Sequence, residues 1–386
     1  MLTARQIFDT LKEWPHRGAG SEEEMEAREA LMAQLAGEYG VHVTDEGFFG
    51  PTSYLKFFWI LAIGQAAVVL FTPFMPAIML GAGFLLFLSH LLYFDWRVSP
   101  LIWWGARSVM ANVSASKGQG HRLVILMAHL DSAPASFAYR PAQVRNFKQA
   151  IYIGTAITGL GVLVPALGSQ DIFVPPWLAG LFAAAMIAQA VVASIDYWQF
   201  GYTPGANDNL TGVAAATEVA SRLWKTMPED TEVRLVITSC EEAGMLGAQH
   251  YWRQHRDELK TRDTHLLNFD TVGYGKLKFV TESGGFTPVY YDGPLLDTAR
   301  ALTKMDKRYD HVGPMRHHVG DFDSVWFIRD GFSALTLAAY DEDGLMPYIH
   351  TPEDKAYHVD LALVEDAVTF GEAIIRTLPK RPGGRQ

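Results

Sequence analysis

Leu123-Val-Ile-Leu-Met-Ala-His-Leu-Asp131 is a continuous apolar run that stops abruptly at an imidazole and a carboxylate. An apolar run without polar alternation is what a strand needs when both its faces are buried, as in a parallel or mixed sheet. Two further runs share the form. Val233 to Thr238 ends at Ser239-Cys-Glu-Glu-Ala-Gly244, and His265-Leu-Leu-Asn-Phe269 ends at Asp270. Helical patterns lie between and after them, at Val213 to Leu223, Met245 to Gln254, Leu295 to Met305 and Leu361 to Leu378. Strands alternating with helices predict an α/β/α sandwich. In such sheets, groups at the C-terminal ends of strands lie where ligands bind.

The flanking chain fits this reading. Ser21-Glu-Glu-Glu24 has the spacing of a capping box and predicts a helix closed by Gly37 and Gly40. Val41 to Phe48, Ser108 to Ala115 and Phe332 to Leu337 read as strands, and Leu345 to Asp354 reads as a loop carrying His350.

The chain has 386 residues and a formal charge of −10, which argues against nucleic acid as a partner. Its single cysteine, Cys240, rules out an internal disulfide and reads as a small buried residue. Hydrophobic residues make up 49% and are concentrated in two blocks: Phe57 to Phe94, and Gln149 to Ile195 with Asp171 as its one charge. A bilayer core needs about 20 apolar residues as a helix, so each block predicts two spans, one hairpin turning at Thr72 to Pro76 and the other at Gly168 to Pro176. The expected organisation is residues 1–54, 95–148 and 196–386 as one soluble domain, with hairpins at 55–94 and 149–195. No signal-peptide pattern is read in Met1 to Lys12. Lys56, Arg97, Arg107, Arg140, Arg145 and Lys148 lie at the ends opposite the hairpin tips. The positive-inside rule then places the tips outside and the soluble domain in the cytoplasm, with a bacterial inner membrane as the expected location.

Five residues in comparable places are potential metal ligands: His129, Asp208 in the turn Gly205-Ala-Asn-Asp-Asn-Leu-Thr-Gly212, Glu242, Asp270 and His350. Imidazoles and carboxylates in this mixture suit zinc or a similar divalent ion. Two such ions can share a hydroxide and polarise a carbonyl, and Asp208, on its own turn, is the expected bridge. Consecutive residues leaving a strand point different ways, so of Glu241 and Glu242 one can hold metal while the other serves as general base. Asp131 is expected to accept the second ring N–H of His129. Each pair alone is a common surface turn; the whole set in one α/β order is not.

Taken together these stretches resemble the co-catalytic di-zinc exopeptidases, metallopeptidase family twenty-eight, which includes the leucyl aminopeptidases. The matching residues are His16-Arg-Gly-Ala-Gly-Ser21, Asn112-Val-Ser-Ala115, Ala128-His-Leu-Asp131, the Asp208 turn, Glu241-Glu-Ala-Gly244, Asn268-Phe-Asp270, Phe322-Asp323 and His350-Thr-Pro-Glu-Asp354. The resemblance implies a phosphorylase/hydrolase-like sandwich with a mixed sheet, into which four transmembrane helices are inserted. It implies one zinc on His129, Asp208 and Asp270, and a second on Asp208, Glu242 and His350. It makes Glu241 the general base and Asp131 a support for His129, and places a cis peptide at Asp208-Asn209. Tyr348 is the candidate substrate-binding residue, in place of a tyrosine that some relatives use as oxyanion donor.

The implied activity is that of a membrane-anchored aminopeptidase acting on peptides. The alternatives are a glutaminyl-cyclase-like acyltransferase with a single zinc, separated by metal stoichiometry, and an inactive membrane scaffold, separated by the effect of Glu241→Gln. His317 and His318 read as a solvated loop, and His90 as a residue of the membrane interface.

Overall fold

A computed structural model of the chain describes residues 1–96, 99–104, 107–317 and 320–379. Arg97 and His318 lie outside the described residues. The strands are β1 (His42–Pro51), β2 (Arg107–Gly118), β3 (Arg122–His129), β4 (Thr231–Thr238), β5 (Asp263–Phe269), β6 (Lys276–Ser283), β7 (Val289–Tyr290), β8 (Gly313–Arg316) and β9 (Ser333–Tyr340). They form one mixed sheet in the order β1-β2-β4-β3-β5-β9-β6-β7, with β8 on β6. The centre is parallel: β3 pairs with β4 and β5, and β5 with β9. The outer pairs β1–β2, β2–β4 and β6–β9 are antiparallel.

β3 shows why its sequence has no alternation. Val124, Leu126 and Ala128 join the core beneath α1 (Ala4–Leu11), α2 (Glu22–Ala36), α7 (Gly212–Lys225), α9 (Pro294–Met305) and α11 (Leu361–Thr377). Leu123, Ile125 and Met127 face the other way, against Tyr251 of α8 (Leu246–Lys260) and Trp326 of α10 (Val325–Arg329). All six are fully buried. At roughly 1.5–3 kcal/mol for each large apolar side chain, this strand is among the chief contributors to the core.

The predicted N-terminal capping box is half present. Ser21 accepts from the Glu24 N–H at 3.1 Å, but the Glu24 carboxylate turns to the Gly20 N–H and to Ser239 after β4. Its geometry serves the tertiary fold in place of the helix end.

The apolar blocks are helical: α3 (Leu55–Phe71), α4 (Pro76–Leu91), α5 (Phe147–Gly168) and α6 (Pro176–Phe200). Three stretches, Pro76–Asp95, Val144–Gly168 and Pro176–Phe200, are long and apolar enough to cross a membrane. α3 has 17 residues and at 1.5 Å per residue reaches about 25 Å, short of a hydrocarbon core of about 30 Å. The expected four spans are thus three by length, with α3 a shorter apolar partner. α3 packs on α6, where Trp59 donates to Ser194 at 2.9 Å. α4 packs on α5, where His90 Nε2 lies 2.8 Å from Thr155 Oγ1. His90 is therefore buried between α4 and α5. His317 is also tied down, with Nδ1 3.1 Å from the Tyr340 hydroxyl.

Both hairpins leave and re-enter the domain at paired strands. Pro51 pairs with Arg107 around the first. Around the second, Pro134 bridges Tyr202, with Thr203 N donating to Ala133 O at 2.8 Å and Ala135 N to Gly201 O at 2.9 Å. The roots of the helices share a cluster with the sheet: Phe57, Leu61 and Tyr93 pack with Phe48, Met110, Cys240 and Leu246.

Candidate active site

β3, β4 and β5 end side by side, and each delivers its acidic or imidazole group to one end of the sheet. His129 closes β3 opposite Thr238 of β4. Glu241 and Glu242 follow β4, and Asp270 follows β5. Asp208 comes from the turn before α7. That turn is stapled to β5 by Asn209, whose amide donates to Phe269 O at 3.0 Å and accepts from Gly212 N and Thr271 N, both at 3.0 Å. A Cβ at Gly212 would lie 2.3 Å from Phe269 O, so only glycine lets α7 start this close to the strand. The Asp208-Asn209 peptide is cis.

The Asp208 carboxylate lies between the two imidazoles. Oδ1 is 3.2 Å from His129 Nε2, and Oδ2 is 3.2 Å from His350 Nε2. Asp270 Oδ2 is 3.6 Å and Glu241 Oε2 4.0 Å from His129 Nε2, while Glu242 Oε2 is 3.1 Å from His350 Nε2. His129 with Asp208 and Asp270, and Asp208 with Glu242 and His350, each bring three donor atoms within 4.8 Å of one another.

Asp131 does something different from the sequence expectation. His129 Nδ1 is 3.0 Å from the Asp131 backbone carbonyl. A carbonyl only accepts, so Nδ1 carries the proton and the tautomer is fixed by the main chain. The Asp131 carboxylate, fully buried, accepts from Glu241 N at 3.0 Å and Glu242 N at 3.1 Å. It holds the loop that presents both glutamates.

Arg17 and Asp354 also hold the main chain around the site. Arg17 is fully buried and donates to the carbonyls of Leu130, Pro204 and Gly205 at 2.9, 2.9 and 2.8 Å. Asp354 accepts from Asn207 N at 2.7 Å and Asp208 N at 3.0 Å. Both act on backbone groups, which leave no mark in a side-chain pattern. Tyr348 is stacked on His358 at 4.0 Å, with Tyr274 at 5.3 Å. It is not among the residues lining the cavity at the site, where Tyr54, Tyr93 and Tyr139 are found. The Tyr139 ring lies 4.0 Å from His350; no spacing in the sequence singled it out.

The electrostatics describe a site in need of a cation. Burial and the neighbouring Asp208 raise the Asp270 carboxyl to about 6. Burial and the nearby acids raise Glu241 and Glu242 well above the usual carboxylate range. Burial raises Asp323, beside Asp131 and Asp270, to about 7. Burial would lower the His129 pKa, yet Glu241 and the surrounding aspartates hold it well above its ordinary value. Crowded buried carboxylates raise one another's pKa.

The donor set fits a divalent metal. With Nδ1 protonated, a neutral His129 turns the Nε2 lone pair toward oxygen lone pairs, which only a proton or a cation can reconcile. Glu242 Oε1 is buried with no hydrogen-bond partner among the described residues. The 3.1–3.6 Å spacings bracket the separation of about 3.3 Å between neighbouring ligands of a tetrahedral zinc.

The fold and the clustered candidate ligands resemble those of zinc-dependent exopeptidases. Within that class the chain resembles peptidase family M28, whose model matches residues 188–372. That stretch contains Asp208, Glu241, Glu242, Asp270 and His350; His129 precedes it, on the far side of the second hairpin. The chain is 27% identical over 183 residues to aminopeptidase YwaD of Bacillus subtilis (strain 168), an alignment covering 46% of this chain and 38% of that protein. The match thus spans well under half of that relative's length. A leucine aminopeptidase precursor from Bacteroides thetaiotaomicron superposes with a TM-score of 0.58 at 15% identity, over 97% of this chain and 96% of that one. A glutaminyl cyclase from Fimbriiglobus ruber gives 0.57 at 13% identity, over 98% and 94%. At such identities the structures share the fold, and the fold alone does not separate the two chemistries.

Proposed function

We propose that the chain is a member of peptidase family M28 and acts as a membrane-anchored, zinc-dependent exopeptidase, removing residues from the N-terminus of peptides. The observation that carries this reading is the Asp208 carboxylate facing His129 and His350 with one oxygen each, at 3.2 Å. A carboxylate so placed suits two ions: one on His129, Asp208 and Asp270, the other on Asp208, Glu242 and His350. Zinc held there would act as a Lewis acid on the scissile carbonyl and on water.

The remaining work falls to this chain's own groups. Glu241 lines the cavity with Glu242 and His350 and takes the proton of the attacking water. Its raised pKa suits it to hold that proton and pass it to the departing amine. Asp131, through the N–H groups of Glu241 and Glu242, positions both carboxylates. The His129 N–H to the Asp131 carbonyl keeps Nε2 turned to the cluster. The apolar helices anchor the domain, with their tips on the outer side and the catalytic domain in the cytoplasm.

The likeness to a glutaminyl cyclase supports a second reading, an acyltransferase using a single zinc. Elemental analysis separates the two, with two zinc per chain expected for the peptidase. The decisive experiment is product analysis by mass spectrometry. Detergent-solubilised protein with added zinc receives peptides with free or acetylated N-termini, beside Glu241→Gln. Stepwise loss of residues from free N-termini only, absent in the variant, is expected. Loss from the carboxyl end, or cyclisation of an N-terminal glutamine, overturns the aminopeptidase assignment.

A further inference from the structure

The cavity at the site is not confined to the sheet end. It has a volume of about 370 Å³ and runs from Glu241, Glu242 and His350 into the space between the apolar helices. All four contribute to its wall: Leu61 and Ala62 of α3, His90 of α4, Ile151 of α5 and Met186 of α6. From Phe147 to Thr158, the deepest lining residue of α5, is about 16 Å at the helical rise, and from Phe200 back to Met186 on α6 about 21 Å. In a bilayer the far end of the cavity lies near mid-core, about 15 Å below the surface.

α3 packs on α6 and α4 on α5, and α5 meets α6 where Gly154 faces the Gln189 amide oxygen. The Tyr152 ring lies 5.6 Å from that of Phe286, so the wall of the cavity joins the helices to a loop of the soluble domain.

The lining is apolar but carries polar groups at intervals. Gln189 of α6 and Thr158 of α5 line it within the helices, the Thr158 hydroxyl donating to Gly154 O, and His90 lines it near the domain end of α4. His90 Nδ1 is buried with no hydrogen-bond partner among the described residues. Polar side chains at membrane depth are costly and face cavities with work to do. A bare acyl chain has no use for them; a peptide does, because its backbone N–H and C=O need partners away from water.

We infer that this cavity is the substrate channel: the enzyme takes the apolar end of a peptide into the space among the four helices and holds the residues beside the scissile bond against the helix wall. The inference rests on the peptidase reading and adds its substrate class. The inserted helices are then part of the specificity apparatus as well as an anchor.

The test uses the full chain in liposomes. Peptides of one length, with Ala-Ala, Leu-Ala or Leu-Leu at the N-terminus, are compared by kcat/KM. Burying each leucine side chain is expected to raise kcat/KM about tenfold or more. Ala193→Phe, which narrows the cavity that Ala193 lines, is expected to cut the Leu-Leu to Ala-Ala ratio about tenfold. A second measurement needs no turnover. Glu241→Gln protein is given a peptide with a diazirine-bearing leucine near its N-terminus, irradiated and mapped. Label on α5 and α6 supports the channel. Label confined to the soluble loops, or a flat response across the peptide series, overturns it even if peptides are cleaved. If wild-type protein cleaves nothing, the hydrolytic reading falls by itself and the label still decides the channel.

Discussion

Asp131, like Asp354, supports the cluster through the main chain: one carboxylate satisfies the N–H groups of Glu241 and Glu242. Asp131→Ala leaves two buried donors without acceptors, which costs about 1–3 kcal/mol each. The expected result is a lower Tm together with a fall in kcat of at least about tenfold and a displaced pH–rate profile, with zinc content largely retained. An unshifted profile would reduce Asp131 to a purely structural role. Asp208→Ala is expected to abolish turnover and lower bound zinc; undiminished turnover would sink the two-ion arrangement. The raised carboxyls give a linked prediction. Without a cation, Asp270 and Asp323 hold protons up to about 6 and about 7, chiefly through burial. A bound cation favours their charged forms, so loading releases protons, and apparent affinity rises with pH through that window and flattens above it. Titration calorimetry in two buffers of different ionisation enthalpy measures the release. The ligand types were legible at this scale because imidazoles and carboxylates following apolar runs have few other uses. The work of Asp131, Arg17 and Asp354 was hidden, since each acts on backbone groups brought near only by the fold.

Among the elements, the buried parallel strands were the easiest to read: β3 is apolar on both faces, and β3, β4 and β5 each carry an apolar run that ends in imidazole or carboxylate. The edge of the sheet was not legible. β6 alternates lysines with apolar residues over Lys276–Ser283, β7 has 2 residues and β8 has 4, too short for any period to emerge. α3 was read as a full span from composition, where only its length shows it to be shorter. One contact between elements is sensitive to pH. His255 on α8 lies 3.0 Å from Glu46 Oε1 on β1, and this hydrogen bond, opposed by burial, raises the imidazole above 6.5. A raised imidazole pKa contributes stability that is fully present below the unfolded value and is lost as pH rises through the folded one. The Tm difference between wild type and His255→Gln is therefore expected to be larger near about pH 6 than near about pH 9. An equal difference at both would show that the pair contributes nothing through charge.

For the whole molecule, the proposed membrane anchoring makes a prediction about sidedness. If both hairpins return to the side they left, every soluble segment shares one compartment. Lys56, Arg140, Arg145 and Lys148 lie at the ends opposite the hairpin tips, so the positive-inside rule predicts the cytoplasm for that side. Protease added to intact cells is expected to spare the catalytic domain and to cut it once the membrane is opened; digestion from outside would reverse the orientation.

The paired strands at the hairpin roots carry a consequence for engineering. Because Pro51 already pairs with Arg107 and Ala133 with Thr203, each membrane insert is a detour between neighbours that need only a tight turn to be joined. Two short deletions, each sealed by an Asn-Gly turn, should yield a detergent-free module that keeps the sheet end intact. Such a module would lose the wall that selects apolar peptide ends, so solubility and selectivity would trade against each other in a single molecule.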